Sequence, residues 1–505
     1  MPLRTARTLA ALLILAFGAP LVAAETPATH PNIIFVLVDD MGWGDFSCFG
    51  DKDIETTNID RIAAEGIRFE QFYVNSPICS PSRVALTTGQ YPERWRITSY
   101  LDNRQQNERR GMAQWLDSAA PTLARTLHDA GYATGHFGKW HMGGQRDVAD
   151  APLITTYGFD ASLTNFEGLG PRMLPLLDAY DGKPAQKYAL GSDTLGHGEI
   201  HWEQRDQITG SYTKAAIDFI NQAQSRKQPF YVNLWPDDVH SPFFPPKERR
   251  GDGTKRVRYL GVLKTMDEQL GEIFDRVRND PELRENTLIL IASDNGPEDG
   301  AGSAGKFRGK KGMLYEGGIR EPLISWGPSL ISKENTGKTN SASVLAGIDF
   351  APSLLKIAHV PVPQNVTFDG EAFDDVLLGT SDRSRTEPLF FRRPPDRPTH
   401  PEEGNLPDLA VRSGNWKLLC EYDGSKPQLY DLLTDPSETT NLAGSHSDIV
   451  DRLKDAVVAW HHSLPEDKGA TYTAQNKPNG KAAKAKLRRQ IENATDEYRD
   501  SIPPN

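Results

Sequence analysis

Residues 32–45 read NIIFVLVDDMGWGD, an unbroken apolar run from Ile33 to Val38 that stops at two adjacent carboxylates, Asp39 and Asp40. A strand with one wet face would alternate polar and apolar residues, so this continuity predicts a strand buried on both faces, as in a parallel sheet between helices. The stretch TLILIASDNG, 287–296, repeats the pattern and stops at Asp294 and Asn295. Between the two runs, helix and strand patterns alternate without an internal repeat. SYTKAAIDFINQAQ reads as helix, QPFYVNLW as strand and RYLGVLKTMDEQLGEIFDRVRN as an amphipathic helix. The expected class is α/β, with a large, mostly parallel sheet between helices.

In open α/β sheets, ligands gather at the carboxyl ends of the strands. Asp39, Asp40, Asp294 and Asn295 are therefore candidates to converge, and three carboxylates with one amide suit a hard divalent cation. Each pair alone reads better as the cap of a turn. Adjacent buried carboxylates repel, however, and a cation would remove that cost.

The chain has 505 residues, and length alone suggests roughly two to four units of about 100–200 residues each. Its formal net charge of -11 argues against a nucleic-acid partner, which requires a dense field of Lys and Arg. An anionic substrate would need a local basic pocket. The opening MPLRTARTLAALLILAFGAPLVAAE has two arginines, a short apolar stretch and small residues before Glu25, the pattern of a cleavable secretory signal over 1–24. The apolar stretch is shorter than the roughly 20 residues of a spanning helix. The mature protein is thus expected outside the cell or in a periplasm, with no membrane insertion after cleavage.

Further along, turns at Ser413-Gly414-Asn415 and Asp423-Gly424 join short strand patterns, and a helix follows from about Asp448 to His462. The expected organisation is a catalytic unit over 25–386, a small C-terminal α+β subdomain with an antiparallel sheet over 387–464, and a polar tail over 465–505.

Basic side chains are also patterned: Lys139 and His141 in GHFGKWHMG, His240 in VHSPF, and Lys310 and Lys311 in GKKGMLYEGGIREP. On an extended segment Lys139 and His141, two apart, would face the same way and could grip one oxyanion. Read singly, each is an ordinary surface lysine or hydrogen-bonded histidine. Cys79 opens CSPSRVALTTG, 79–89, where Pro81 suits a first helical turn and Gly89 a helix end. That places Cys79 at the positive end of a helix dipole with Arg83 a turn away, a setting that lowers a thiol pKa and attracts anions. A packed thiol, half of a disulfide and a Cys-His nucleophile all remain compatible with these residues alone; Cys48 and Cys420 are expected to be free, buried thiols.

Cys79-Ser80-Pro81-Ser82-Arg83, continuing through Leu86-Thr87-Thr88-Gly89, resembles the signature of the type I sulfatases, the formylglycine-dependent branch of the alkaline phosphatase superfamily. VLVDDMGWGD, GHFGKWHMG, VHSPF, ASDNGP, GKKGMLYEGGIREP and the C-terminal RSGNWKLL and QLYDLLTDPSETTNL occur in the family order across nearly the whole mature chain. The resemblance implies an alkaline-phosphatase-like sandwich and displaces the disulfide and protease readings of Cys79. It implies that a maturation enzyme oxidises Cys79 to formylglycine (3-oxoalanine), whose hydrate is the nucleophile. Asp39, Asp40, Asp294, Asn295 and the modified Cys79 would bind calcium, with magnesium as the alternative. Arg83 would hold the hydrate, Lys139 and Lys311 would bind sulfate oxygens, and His240, with Lys311, would protonate the leaving alcohol. His141 would take the proton that releases sulfate. Lys311 is preferred to Lys310 because it immediately precedes Gly312, four before Tyr315. Glu316, Gly317, Gly318 and Arg320 are expected to shape the loop, and Asp237 and Asp238 to orient His240 or meet sugar hydroxyls. The implied activity is hydrolysis of sulfate monoesters on sulfated polysaccharides or oligosaccharides. The rivals are a phosphodiesterase or phosphonate monoester hydrolase with the same machinery and a non-catalytic glycan-binding protein.

Overall fold

The computed structural model describes residues 30–144, 146–165, 168–396 and 406–466. The expected signal over 1–24 and the tail beyond 466 lie outside the described residues. The strands, in chain order, are β1 Asn32–Val38, β2 Ile67–Tyr73, β3 Ala133–Lys139, β4 Ala161–Asn165, β5 Arg172–Leu177, β6 Gln186–Lys187, β7 Ile200–Gln204, β8 Phe230–Trp235, β9 Thr287–Ser293, β10 Arg320–Trp326, β11 Thr339–Asn340, β12 Leu345–Ala346, β13 Leu389–Arg392, β14 Leu409–Ser413, β15 Trp416–Cys420 and β16 Gln428–Asp431.

The first twelve form one sheet in the order β11-β2-β10-β9-β1-β8-β3-β4-β5-β6, with β12 beside β2 and β7 beside β5. The centre, β9-β1-β8-β3-β4, is parallel throughout, whereas β10 runs antiparallel to both β9 and β2. The run that opens the chain's first strand now has a physical reason. Ile33, Phe35 and Leu37 enter one apolar core, and Ile34, Val36 and Val38 enter the other. Helices Cys79–Thr88, Leu123–Asp129 and Phe350–Ile357 cover the first face; Thr57–Glu65, Ile208–Ser225 and Lys255–Asn279 cover the second.

The remaining four strands make an antiparallel sheet in the order β13-β14-β15-β16. Its alternation is equally clean. Leu409, Val411, Leu418 and Cys420 pack on helix Ser447–Ser463, while Ala410 and Leu419 point into the first core of the large sheet. This is the expected mixed, mostly parallel sheet between helices with a separate small antiparallel sheet. Among the described residues no helix is long and apolar enough to cross a membrane. All three thiols are free; Cys420 is buried as expected, but Cys48 is only half-buried.

Candidate active site

Parallel pairing brings five strand ends side by side, and each carries a polar group. Val38 is in register with Ser293, so Asp39-Asp40 and Asp294-Asn295 leave the sheet together. Next to β1, β8 ends at Trp235 and leads to Asp237, Asp238 and His240; then β3 ends at Lys139 and β4 at Asn165, these two being in register. Gly138 makes the close approach possible. Its φ is +120°, and a Cβ there would lie 2.1 Å from the Trp235 carbonyl oxygen.

The helix Cys79–Thr88 begins at Cys79, behind an extended Ile78, and ends at Gly89 in the left-handed conformation. Its start faces the strand ends. One ligand atom each from Asp39, Cys79 and Asp294 lies within 4.8 Å of the others. The Cys79 Sγ donates toward Asp40 Oδ1 at 3.8 Å, and Asn295 Nδ2 donates to the same oxygen at 2.8 Å. Asp39, Asp40, Asp294, Asn295 and Arg83 are all buried.

Basic groups close the cluster from the other side. Lys139 Nζ is 2.6 Å from Asp39 Oδ2 and Lys311 Nζ 2.5 Å from Asp40 Oδ2. Arg83 reaches Asp294 Oδ2 at 2.7 Å and Asp39 Oδ1 at 3.3 Å, and donates to the Lys139 carbonyl at 3.0 Å. Its guanidinium also sits 5.2 Å from the centre of the Trp235 ring. Lys311, not Lys310, enters the cluster; Lys310 pairs with Asp299 at 3.1 Å.

Burial and charge compete at each carboxylate. Burial pushes Asp39 and Asp40 up, but Lys139 beside the first and Lys311 beside the second leave both below the usual range. For Asp294 burial wins, and its carboxyl is raised despite Arg83. One guanidinium shared between Asp39 and Asp294 cannot offset the burial of both. Asn295 Oδ1 is buried without a hydrogen-bond partner. Three buried carboxylates, one of them raised, with one unclaimed amide oxygen fit a hard divalent cation.

Three expectations need correction. The helix terminus does not lower the thiol pKa of Cys79: burial pushes it up to about 12, beyond what Lys139 and Lys311 recover. The unmodified thiol is therefore a poor nucleophile. Lys139 and His141 do not face the pocket as alternate residues of one extended segment, because β3 ends at Lys139 and His141 has φ +56°. The left-handed turn, not the strand period, returns the imidazole to the cluster. Its Nε2 lies 3.4 Å from the Leu101 carbonyl oxygen, and burial followed by Lys139 and Arg83 holds it well below the usual histidine range, so it is a neutral ring. Finally, Asp237 meets His240 through its backbone carbonyl, which accepts the His240 N–H at 3.1 Å, while the carboxylates of Asp237 and Asp238 take other partners. Asp237 takes Asn165 Nδ2 at 3.0 Å and Arg205 at 2.9 Å, and Asp238 takes Thr209. His240 Nδ1 pairs with the Ser241 carbonyl at 2.7 Å, leaving Nε2 3.6 Å from Asp40 Oδ2.

Asn165 and Arg205 escaped the reading of the sequence. Asn165 carried the same signal as Asp39, a polar side chain at a strand's carboxyl end, but β4 is too short and too polar to announce itself. Arg205 carried none. Glu316 and Arg320 pair at 3.2 Å and shape the loop as expected.

Comparison with known proteins agrees with this geometry. The family profile described as Sulfatase matches residues 31–360, and that described as N-sulphoglucosamine sulphohydrolase, C-terminal, matches 303–462. The chain is 31% identical to arylsulfatase A of Homo sapiens over 481 residues, covering 88% of this chain and 89% of that protein. It is 29% identical to N-acetylgalactosamine-6-O-sulfatase of Bacteroides thetaiotaomicron, covering 84% and 92%. The crystal structure of Ps i-CgsB superposes with a TM-score of 0.71 at 24% identity, over 86% of this chain and 94% of that one, a likeness of fold. The chain belongs to the sulfatase family, the type I branch of the alkaline phosphatase superfamily, and is a sulfuric ester hydrolase.

Proposed function

We propose that this protein is a secreted enzyme that hydrolyses sulfate monoesters on sugars. In this reading Cys79 is converted to formylglycine, and a calcium or magnesium ion is held by Asp39, Asp40, Asp294, Asn295 and residue 79. The observation that carries it is the meeting of Asp39, Cys79 and Asp294 within 4.8 Å at the carboxyl ends of two parallel strands. The sugar is supported by the names of relatives such as the N-acetylgalactosamine-6-O-sulfatase. Export rests on the signal pattern over 1–24, and the catalytic unit over 25–386 with a subdomain over 387–464 belongs to the same reading.

The ion would supply positive charge to the sulfate oxygens and neutralise the buried carboxylates. The hydrated aldehyde would supply a hydroxyl nucleophile that carries its own release step, which a serine alkoxide lacks. The chain's own residues do the rest. Arg83 fixes Asp294 and Asp39 relative to each other. Lys139 and Lys311 offer ammonium groups from two sides in a site where charge counts for more than in water. His240 donates Nδ1–H to the Ser241 carbonyl, so Nε2 faces the pocket and, in the charged ring, would carry the proton given to the departing alcohol. Burial holds His240 below the usual histidine range, and Asp40 and then Asp39 pull against it toward the charged ring that the donor role requires. His141, kept neutral, takes a proton on the residue 79 side.

The test is release of sulfate from aryl sulfate and sulfated sugars by protein made in a host that matures sulfatases, with an aryl phosphate diester as the competitor. Sulfate release that excess chelator abolishes and calcium restores is the expected result. Preferred cleavage of the diester, or full activity in chelator, would overturn the reading.

A further inference from the structure

The connections that leave β1 and β9 supply Asp39, Asp40 and Lys311 to the charged cluster. The same two connections, with the start of helix Lys255–Asn279, wall a second, open cavity of about 510 Å³ whose lining includes Trp43, Asp51, Lys52, Asp53, Arg256 and Lys306. That volume lies within the range of small-ligand sites. The two connections are locked together, since the Gly44 N–H donates to the Ser303 carbonyl at 2.9 Å and a Cβ at Gly44 would lie 2.6 Å from the Gly305 backbone. Trp43 follows Asp40 by three residues, so its Cα lies at most about 11 Å from that of Asp40. The cavity therefore neighbours the charged cluster and shares no residue with it.

Its charges are sorted unevenly. The carboxylates turn to one guanidinium: Arg256 reaches Asp45 at 3.0 Å, Asp51 at 2.6 Å and Asp53 at 3.7 Å, and Asp53 is also well exposed to water. Lys306 instead lies over two rings, its Nζ 5.5 Å from the centre of Trp43 and 5.5 Å from that of Phe307. Among the described residues neither Lys306 nor Lys52 forms an ion pair. Trp43 is 8% exposed, held edge-on by Phe49 and Phe307, and its Nε1 is buried without a hydrogen-bond partner. A buried N–H costs stability until an acceptor reaches it. The acceptors of the cavity are thus engaged by Arg256, while its donors, two ammonium groups and an indole N–H, are unclaimed. A group that brings acceptor oxygens and negative charge matches them; a cation, or a ring with hydroxyls alone, leaves the ammonium groups unmatched.

We propose that this cavity is a second subsite, which takes an anionic group, a sulfate or a carboxylate, on a neighbouring sugar of the oligosaccharide whose ester is held at residue 79. Lys306 and the Trp43 N–H are its donors, with Lys52 at the rim. The inference rests on the sulfate-ester reading above and adds the substrate class: oligosaccharides that carry more than one anion.

Wild-type protein, Lys306→Met and Lys306→Arg, all matured as full chains, are compared on an aryl sulfate, an oligosaccharide with one sulfate and no other anion, and two oligosaccharides of the same length that add a second sulfate or a uronate. The wild type is expected to favour a second anion by about tenfold in kcat/KM, chiefly through KM, and this preference should shrink as salt is raised. A preference for either doubly charged substrate supports the proposal and tells sulfate from carboxylate. Lys306→Met should remove most of the preference and Lys306→Arg should keep it, and both should match the parent on aryl sulfate and in thermal midpoint. Equal kcat/KM with and without the second anion, a preference that survives Lys306→Met, or an equal fall on aryl sulfate would overturn the proposal. Cleavage of the singly charged substrates with no such preference would overturn this inference alone; release of sulfate from none of the substrates would overturn the sulfate-ester reading with it.

Discussion

The loop between β9 and β10 feeds two buried groups of charges, and they are built differently. Lys311 enters the cluster at the strand ends. Five residues later, Glu316 enters the junction with the small sheet, where Lys417 Nζ lies 2.9 Å from Glu316 and 2.9 Å from Glu438. There Glu316 also accepts from Tyr73 at 2.5 Å and pairs with Arg320, Tyr73 accepts from Arg412, and the Glu316 N–H donates to Glu438 at 2.6 Å. These partners join β2 and β10 to β14 and β15. At the strand ends, by contrast, the lysines that neutralise Asp39 and Asp40 are the groups a sulfate would need, and Asn295 Oδ1 has no partner at all. A buried network whose charges are fully committed is scaffold. One whose charges have a second claimant is a site.

Variants at the two places should therefore fail in opposite ways. Cys79→Ala is expected to cut sulfate release by at least about 10⁴-fold while the thermal midpoint stays near that of the parent, measured by calorimetry. Unfolding of that variant would place Cys79 with the scaffold. Lys417→Met leaves two buried carboxylates facing each other, and denaturant titration should register a loss of about 3–5 kcal/mol. Its kcat at temperatures where it remains folded should change little; a large fall in kcat without loss of stability would dissolve the distinction. Lys311→Ala is expected to lower kcat/KM by about 10²–10³-fold. Lys310→Ala, which breaks the pair with Asp299 outside the cluster, should stay within a few-fold, partly exposed pairs being worth about 1 kcal/mol or less. If the two lysine variants behave alike, the geometric choice of Lys311 is wrong.

What was legible in the sequence follows from locality. Asp39, Asp40, Asp294 and Asn295 announce themselves because each pair directly ends an apolar run, and Cys79, Pro81 and Gly89 because a helix start and stop are written in neighbouring residues. Lys139, His141, His240 and Lys311 were found through motifs, although the strand period offered for the first two was the wrong reason. Lys417 and Glu438 were illegible. A lysine in WKLLC looks solvent-facing, and its partners Glu316, 101 residues away in the chain, and Glu438 make its burial tolerable. The antiparallel course of β10 was equally hidden, because REPLISW reads the same in either direction of pairing.

The account turns on what residue 79 becomes beside the carboxylates. Hydrazide labelling and mass analysis of the peptide that carries residue 79, on protein from a maturing host, tests this most directly. An aldehyde at position 79, in a fraction that tracks the sulfate-releasing activity of the preparation, is the predicted result. An intact Cys79 thiol in fully active protein would contradict it.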